Sequence, residues 1–169
     1  MFLTDQLSVR PGWRSGYNGT AMSITLAQAI KNAIAAEHAA EKFYLRLAAG
    51  CADEQGRALL TDIAAQERGH AATLESLAAK LVAGKLPERA DALVHGIETA
   101  PAGSDADGLG LSQALEIAIE AENSAILYYD ALATTSTGDA SAFFERMGKE
   151  EEGHAAAIRT LLANLAAQP

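Results

Sequence analysis

The chain has 169 residues, of which 49% are hydrophobic, and this is enough for a single domain with its own core. Its formal net charge of −9 repels phosphate backbones and anionic lipids, so the composition argues against nucleic acid and membranes as partners. No apolar run reaches the ~18 residues that cross a bilayer, and the N-terminal residues lack the apolar core of a secretory signal, which predicts a cytoplasmic protein.

The N-terminal segment differs from the rest of the chain. Residues 1–22 show no apolar periodicity and are predicted to be a disordered lead, in which Met22 is an alternative start. Two long stretches without proline follow, roughly 24–84 and 110–167, and both are rich in the strong helix formers Ala and Leu. The pattern predicts one all-α domain over residues 23–169.

This domain contains the same helical hairpin twice. The segments that begin at Leu26 and Leu111 align with each other, and so do the segments that begin at Arg57 and Ser141. In each segment apolar residues recur every three or four positions, as on a helix face that points to a core. The predicted parts are repeat 1 over about 24–84, a long crossover over about 85–110, and repeat 2 over about 111–167.

The repeat predicts four helices. Asp53 is a candidate cap for the second helix, and Gly138 with Asp139 separates the last two. A short helix over about 89–99 fits within the crossover. The four helices are expected over about 24–49, 54–82, 111–134 and 140–166.

Two glutamates interrupt the apolar faces at equivalent positions. Glu37 lies within the stripe of the first helix and Glu122 within that of the third, where an unpaired carboxylate would be costly. The second and fourth helices each carry a glutamate followed three residues later by a histidine. That spacing advances a helix by about 300° and ~4.5 Å, so both side chains project from one face. These pairs are Glu67 with His70 and Glu151 with His154.

Four carboxylates and two imidazoles are the set that holds two metal ions in four-helix carboxylate proteins. Their four negative charges balance two divalent ions, and oxygen donors with one imidazole per ion suit iron or manganese. We expect the side chains to converge around two positions about 3.5–4 Å apart, and metal uptake to release protons. A bundle that keeps these residues without metal is the alternative interpretation.

Three further side chains are placed near the candidate ligands. Tyr44 and Tyr129 each follow a glutamate by seven residues and are either plain core or donors to a ligand carboxylate, where a phenol can also carry a radical. Glu41 lies one turn after Glu37 and is a candidate to support it. The side chains predicted to stand outside the site are His38, His95, Glu116, Glu120 and Cys51.

Over residues 24–166 the sequence resembles the rubrerythrin branch of the ferritin-like superfamily. The resemblance rests on E-H-A-A-E-K-F-Y, Q-E-R-G-H-A, E-N-S-A-I-L-Y-Y and E-E-E-G-H-A. It implies a ferritin-like four-helix bundle with a di-iron centre, in which Glu67 and Glu151 can bridge both ions. The implied activity is oxidation of the di-ferrous centre by peroxide or dioxygen. The implied iron ligands are Glu37, Glu67, His70, Glu122, Glu151 and His154.

The sequence departs from this family's pattern in two respects. A rubredoxin domain needs several cysteines, and the single Cys51 cannot supply them, so a separate electron donor protein is expected. Ala125 stands where the family usually has an additional glutamate, so slow turnover of peroxide is expected. The expected function is a di-iron oxidoreductase in oxidative stress or iron handling, with a homodimer as the default assembly. The alternatives are an iron-storage protein with ferroxidase activity only, and a metal-free structural bundle.

Overall fold

The computed structural model describes residues 6–8, 23–82, 85–90 and 110–167. Its helices confirm the all-α prediction, and each begins and ends within two residues of the predicted positions. The helices are α1 (Leu26–Gly50), α2 (Glu54–Leu81), α3 (Leu111–Thr135) and α4 (Asp139–Ala166).

A short strand pair that was not predicted precedes α1. Strands β1 (Gln6–Ser8) and β2 (Ser23–Thr25) pair in antiparallel register, with Leu7 opposite Ile24. The three residues of β1 lie within the predicted lead and pair through their backbone with the residues that enter α1. The rest of the lead, including Met22, and positions 91–99 of the helix expected in the crossover lie outside the described residues.

Local polar contacts fix where the helices begin. The amide of Gln28 donates to Thr25 Oγ1 at the start of α1, and the amide of Gly56 donates to Asp53 Oδ2 at the start of α2. Each bond satisfies one of the amides that a helix N-terminus leaves without an intrahelical partner, and the second confirms the predicted cap. Gly138 precedes α4 with φ of 60°, a conformation that favours glycine.

The bundle consists of two hairpins, α1 packed on α2 and α3 packed on α4. The hairpins meet through the α1–α3 and α2–α4 contacts, and all four helices contribute to two separate apolar clusters. The first cluster includes Ile30, Leu74, Leu132 and Phe144, and the second includes Leu47, Leu60, Leu115 and Ile158. Burial of each of these side chains contributes roughly 1.5–3 kcal/mol, so the two clusters hold the polar layer between them in place.

Candidate metal centre

All six candidate ligands converge between the two apolar clusters. The four carboxylates are 0% exposed, and the two imidazoles are at most 7% exposed. One glutamate comes from α1, one from α3, and a glutamate with a histidine from each of α2 and α4. These side chains are Glu37, Glu67, His70, Glu122, Glu151 and His154.

Small residues make room for this polar layer. Ala33 and Ala40 flank Glu37 by about one turn on either side, and Ala118 and Ala125 flank Glu122 in the same way; all four are at most 1% exposed. Because an alanine ends at its Cβ atom, carboxylates from neighbouring helices can approach the interior there. Ala125, which stands where the family usually has an additional glutamate, is itself part of the first apolar cluster.

The six side chains form two overlapping groups that could each hold one ion. Glu67 and Glu151 belong to both groups, and within each group the ligand atoms all lie within 4.8 Å of one another. Shared carboxylates between two terminal sets are what a pair of bridged metal ions requires. The first group adds Glu37 and His70, and the second adds Glu122 and His154.

Both imidazoles direct Nδ1 into the cluster. His70 Nδ1 lies 3.3 Å from Glu37 Oε2, 3.3 Å from Glu67 Oε2 and 3.2 Å from Glu151 Oε1, without hydrogen-bond geometry to any of them. His154 Nδ1 lies 2.9 Å from Glu151 Oε2, with which it is hydrogen-bonded, and 2.8 Å from Glu67 Oε1. The two rings stack with their centroids 5.6 Å apart. Each imidazole therefore presents the same nitrogen to the carboxylates.

The outer nitrogens have partners that the sequence analysis missed. His70 Nε2 lies 2.7 Å from Glu150 Oε2 on α4, and His154 Nε2 lies 3.2 Å from Gln66 Oε1 on α2. Gln66 and Glu150 each immediately precede a shared glutamate and occupy equivalent positions in the repeat. That equivalence was the available signal, because it places both beside the polar layer.

The phenols of Tyr44 and Tyr129 reach across between the hairpins. Tyr44 Oη donates to Glu122 Oε1, and Tyr129 Oη donates to Glu37 Oε1. Of the two interpretations made from the sequence, the structure shows the contact with a candidate ligand rather than plain core packing. Each phenol binds one oxygen of its carboxylate and leaves Oε2 directed elsewhere.

Burial and mutual repulsion set the protonation of the carboxyls on α1 and α3. Burial raises the pKa of Glu37 well above its usual value, and the charges of Glu151 and Glu67 raise it further against the lowering effect of His70. Burial likewise raises the pKa of Glu122, together with the charges of Glu67 and Glu151. Without metal, these two carboxyls therefore tend to hold protons.

For the two imidazoles, contacts with the carboxylates outweigh the effect of burial on the pKa. Burial alone would lower the pKa of His154, but its contacts with Glu151 and Glu67 raise the pKa to about 10. The pKa of His70 is raised in the same way by Glu151, Glu37 and Glu67 against its burial. Burial favours a neutral Glu67, yet its contacts with both imidazoles lower its pKa to about 2. Protons thus supply the positive charge that the carboxylates need in the metal-free protein.

Several buried atoms of the cluster have no hydrogen-bond partner. Among the described residues, the atoms of the cluster without such a partner are Glu37 Oε2, both oxygens of Glu67, His70 Nδ1, Glu122 Oε2 and Glu151 Oε1. Buried polar atoms without partners are rare and costly. These five oxygens and one nitrogen are the donors that two divalent ions would use, so the residues fit such a pair.

The side chains predicted to stand outside the site do so wherever they are described. Glu41, the candidate to support Glu37, instead lies 3.4 Å from the guanidinium of Arg68 and 3.7 Å from the imidazole of His38. Cys51 is buried and its thiol donates to the carbonyl of Asp53. Glu116 and Glu120 are exposed, and His95 lies outside the described residues.

The sequence matches the model of the rubrerythrin family over residues 24–103 and 113–169, which include all six candidate ligands. The chain belongs to the rubrerythrin family. A hypothetical protein from Pyrococcus furiosus has a similar structure, with a TM-score of 0.68, 22% sequence identity, and coverage of 84% of this chain and 92% of the other. This likeness shows that the fold recurs at low identity. No curated protein matches the sequence significantly.

None of the helices in the described ranges combines the length and apolar character needed to span a membrane. Their apolar faces are instead occupied in the two clusters on either side of the polar layer.

Metal uptake by this rubrerythrin-family centre is expected to release about two to four protons per chain, because metal binding requires neutral imidazoles and ionised carboxylates. The pKa of His154, raised to about 10, keeps a proton on its imidazole at pH 7, and the raised pKa values of His70, Glu37 and Glu122 favour their protonated forms before metal is added. The measurement is a pH indicator in weakly buffered, anaerobic solution during titration with Fe²⁺. Binding of two ions with release of less than one proton would contradict the protonation described above.

Proposed function

We propose that this rubrerythrin-family protein is a non-haem di-iron oxidoreductase that reacts with peroxide or dioxygen, in protection from oxidative stress or in iron handling. One observation carries the proposal: two buried groups of four donors share Glu67 and Glu151. When bound, two ferrous ions supply two electrons, which together with two protons reduce one hydrogen peroxide to two water molecules. The remaining roles belong to side chains of this chain.

The shared carboxylates and the terminal side chains divide the work of holding iron. Glu67 and Glu151 would be shared by both ions, with Glu37 and His70 completing the donor set for one of them. Glu122 and His154 complete the other. Because all six side chains are buried, they also keep bulk water away from the ions, which strengthens their electrostatic interactions.

Each phenol orients one terminal carboxylate. Tyr129 engages Oε1 of Glu37 and Tyr44 engages Oε1 of Glu122, while Oε2 of each glutamate has no hydrogen-bond partner among the described residues. The oxygen without a partner is thus the one that would bind a metal ion, and the phenol would hold the carboxylate in that orientation. A phenol in contact with a ligand is also placed to donate a proton or an electron to the site.

Iron is proposed as the native metal, with manganese as the alternative that the donor set also accepts. The 169 residues contain one cysteine, so a Cys-ligated iron within them is ruled out as the electron source, and we propose a separate donor protein. A cytoplasmic homodimer is the proposed setting. Because Ala125 is packed core in place of an additional glutamate, steady-state turnover is proposed to be slow without an added donor.

The test is anaerobic loading with Fe²⁺, followed by metal analysis and stopped-flow mixing with peroxide or oxygen. We expect about two ions per chain and growth of ferric absorbance within the first turnover. Many ions per chain would indicate storage with ferroxidase activity, and none would indicate a structural bundle. Two bound ions that stay ferrous after mixing would contradict the oxidoreductase function. Glu120→Gln is the control, because Glu120 is exposed on α3.

A further inference from the structure

The two candidate metal positions have different outer surroundings. His70 Nε2, the ring nitrogen that faces away from the cluster, lies 2.7 Å from a carboxylate oxygen of Glu150. The corresponding nitrogen of His154 meets an amide oxygen, that of Gln66, at 3.2 Å. The contacts are equivalent in the repeat, since each joins the histidine of one hairpin to the residue before the shared glutamate of the other. Their chemistry differs.

Both partners fix the same ring orientation. Glu150 is a carboxylate and only accepts, so His70 Nε2 carries a proton and Nδ1 is the nitrogen available to metal. For His154 the same conclusion depends on which way the Gln66 amide points. Gln66 Nε2 donates to Asp62 Oδ2 at 3.0 Å, which turns Gln66 Oε1 toward His154 Nε2. Each histidine is therefore held as an Nδ1 ligand.

The strength of the two contacts is unequal. The 2.7 Å contact places a carboxylate against His70 Nε2, and a charged acceptor attracts an N–H group more strongly than a neutral amide oxygen does. A carboxylate in this position also makes the imidazole a better electron donor to a bound ion. The negative charge of Glu150 also adds attraction for a cation, although its side chain is 53% exposed and water reduces this effect. The amide of Gln66 brings only a dipole, with the charge of Asp62 one side chain further away.

We propose that Glu150 is a positioning residue that makes the metal position of His70 the tighter of the two, so that the ions bind in a fixed order. The proposal rests on the proposed metal function. The position with Glu37 and His70 fills first, and the position with Glu122 and His154 fills second. A centre with unequal positions holds one ion firmly while the other exchanges.

The test is a titration of the full metal-free chain with Co²⁺, followed by calorimetry and by the visible absorbance of bound Co²⁺. For the parent chain we expect two steps whose dissociation constants differ by about 10–100-fold. Glu150→Gln should weaken the tight step by a similar factor and leave the weak step unchanged. The double variant Asp62→Asn/Gln66→Glu should tighten the weak step, and it keeps the net charge of the chain.

Two controls separate this effect from general ones. Glu152→Gln removes the same charge from the same helix, but Glu152 is exposed, so its two steps should match those of the parent. If Glu152→Gln weakens the tight step as much as Glu150→Gln does, net charge is the cause and the proposal is overturned. Thermal melting and circular dichroism of the metal-free variants show whether each is folded. The double variant is expected to bind metal more tightly at the weak step. Misfolding would weaken binding, so it could not produce this result.

The outcome for the parent chain distinguishes this inference from the proposed function. Two equal steps would overturn the fixed order of binding while the di-metal function stands. Two unequal steps that neither Glu150→Gln nor the double variant changes would overturn the role of Glu150. No binding of Co²⁺ or Fe²⁺ at all would overturn the proposed function itself.

Discussion

The variant Glu122→Gln is expected to bind metal at least ~10-fold more weakly than the parent at one position, while its metal-free form unfolds at a higher temperature. The loss of affinity follows because an amide replaces one of four charged ligands. The gain in stability follows from the pKa of Glu122, which burial raises well above the usual value. A carboxyl with a raised pKa in the folded state opposes folding at pH values above the ordinary pKa of glutamate. It is ionised in the unfolded chain at such pH values, so folding must either add a proton to it or bury its charge.

Glutamine removes this cost at pH 7 and keeps the shape of the side chain. Its Oε1 still accepts from Tyr44, and its amide nitrogen is a donor to the nearby carboxylates of Glu67 and Glu151. Metal analysis after loading and thermal melting of the chelator-treated protein measure the two effects. The matched control is Glu120→Gln on the exposed face of α3, which should change neither. Unchanged metal content in Glu122→Gln would contradict its assignment as a ligand.

Loading both positions with Fe²⁺ under anaerobic conditions is expected to raise the melting temperature by on the order of 10–20 °C at free metal about 100-fold above the dissociation constants. A ligand that binds only the folded state adds about 2.7 kcal/mol per site at that ratio, and one kcal/mol moves the melting temperature of a domain this size by a few degrees. Scanning calorimetry with and without metal measures the difference. An increase below about 3 °C at saturation would contradict a site that forms only in the folded chain.

This stabilisation should also grow from pH 6 to pH 8. The pKa of His154 is raised to about 10, so its contacts stabilise the metal-free protein fully below about pH 6.5, and that stability is lost as the pH rises toward 10. Metal must displace this proton, and binding becomes easier as the pH rises. Glu67, with a pKa lowered to about 2, contributes stability above pH 4.5 that is lost only in acid, so it does not alter the trend.

Much of this arrangement could be predicted from the sequence because it repeats locally. The four helix ranges follow from apolar periodicity, and the convergence of Glu37 and Glu122 follows from their places within apolar stripes. The Glu-x-x-His spacing fixes a shared face on α2 and α4 without knowledge of the tertiary structure. What the sequence alone leaves undecided is the metal, since iron and manganese accept the same donors.

Contacts between hairpins could not be predicted in the same way. Tyr44 lies seven residues after Glu37, about 10.5 Å along the helix axis, and so cannot bind that glutamate. It binds Glu122 because α1 and α3 lie side by side, which only the assembled bundle shows. The contacts of Gln66 and Glu150 with the histidines are of the same kind. Strands β1 and β2 were missed because three residues are too few for a periodic signal.

The repeated hairpin has a consequence for how the site assembles. Each hairpin carries one glutamate and one Glu-x-x-His pair, which is half of the donor set. If the halves were separate polypeptides, the fraction of complete sites would fall on dilution, as it does for any dimer. Here both halves lie on one chain, so the centre forms in a unimolecular step and is independent of protein concentration. In a dimer of identical hairpins every substitution would appear in both halves of the site. In this single chain the two halves can differ, so a substitution changes one half alone.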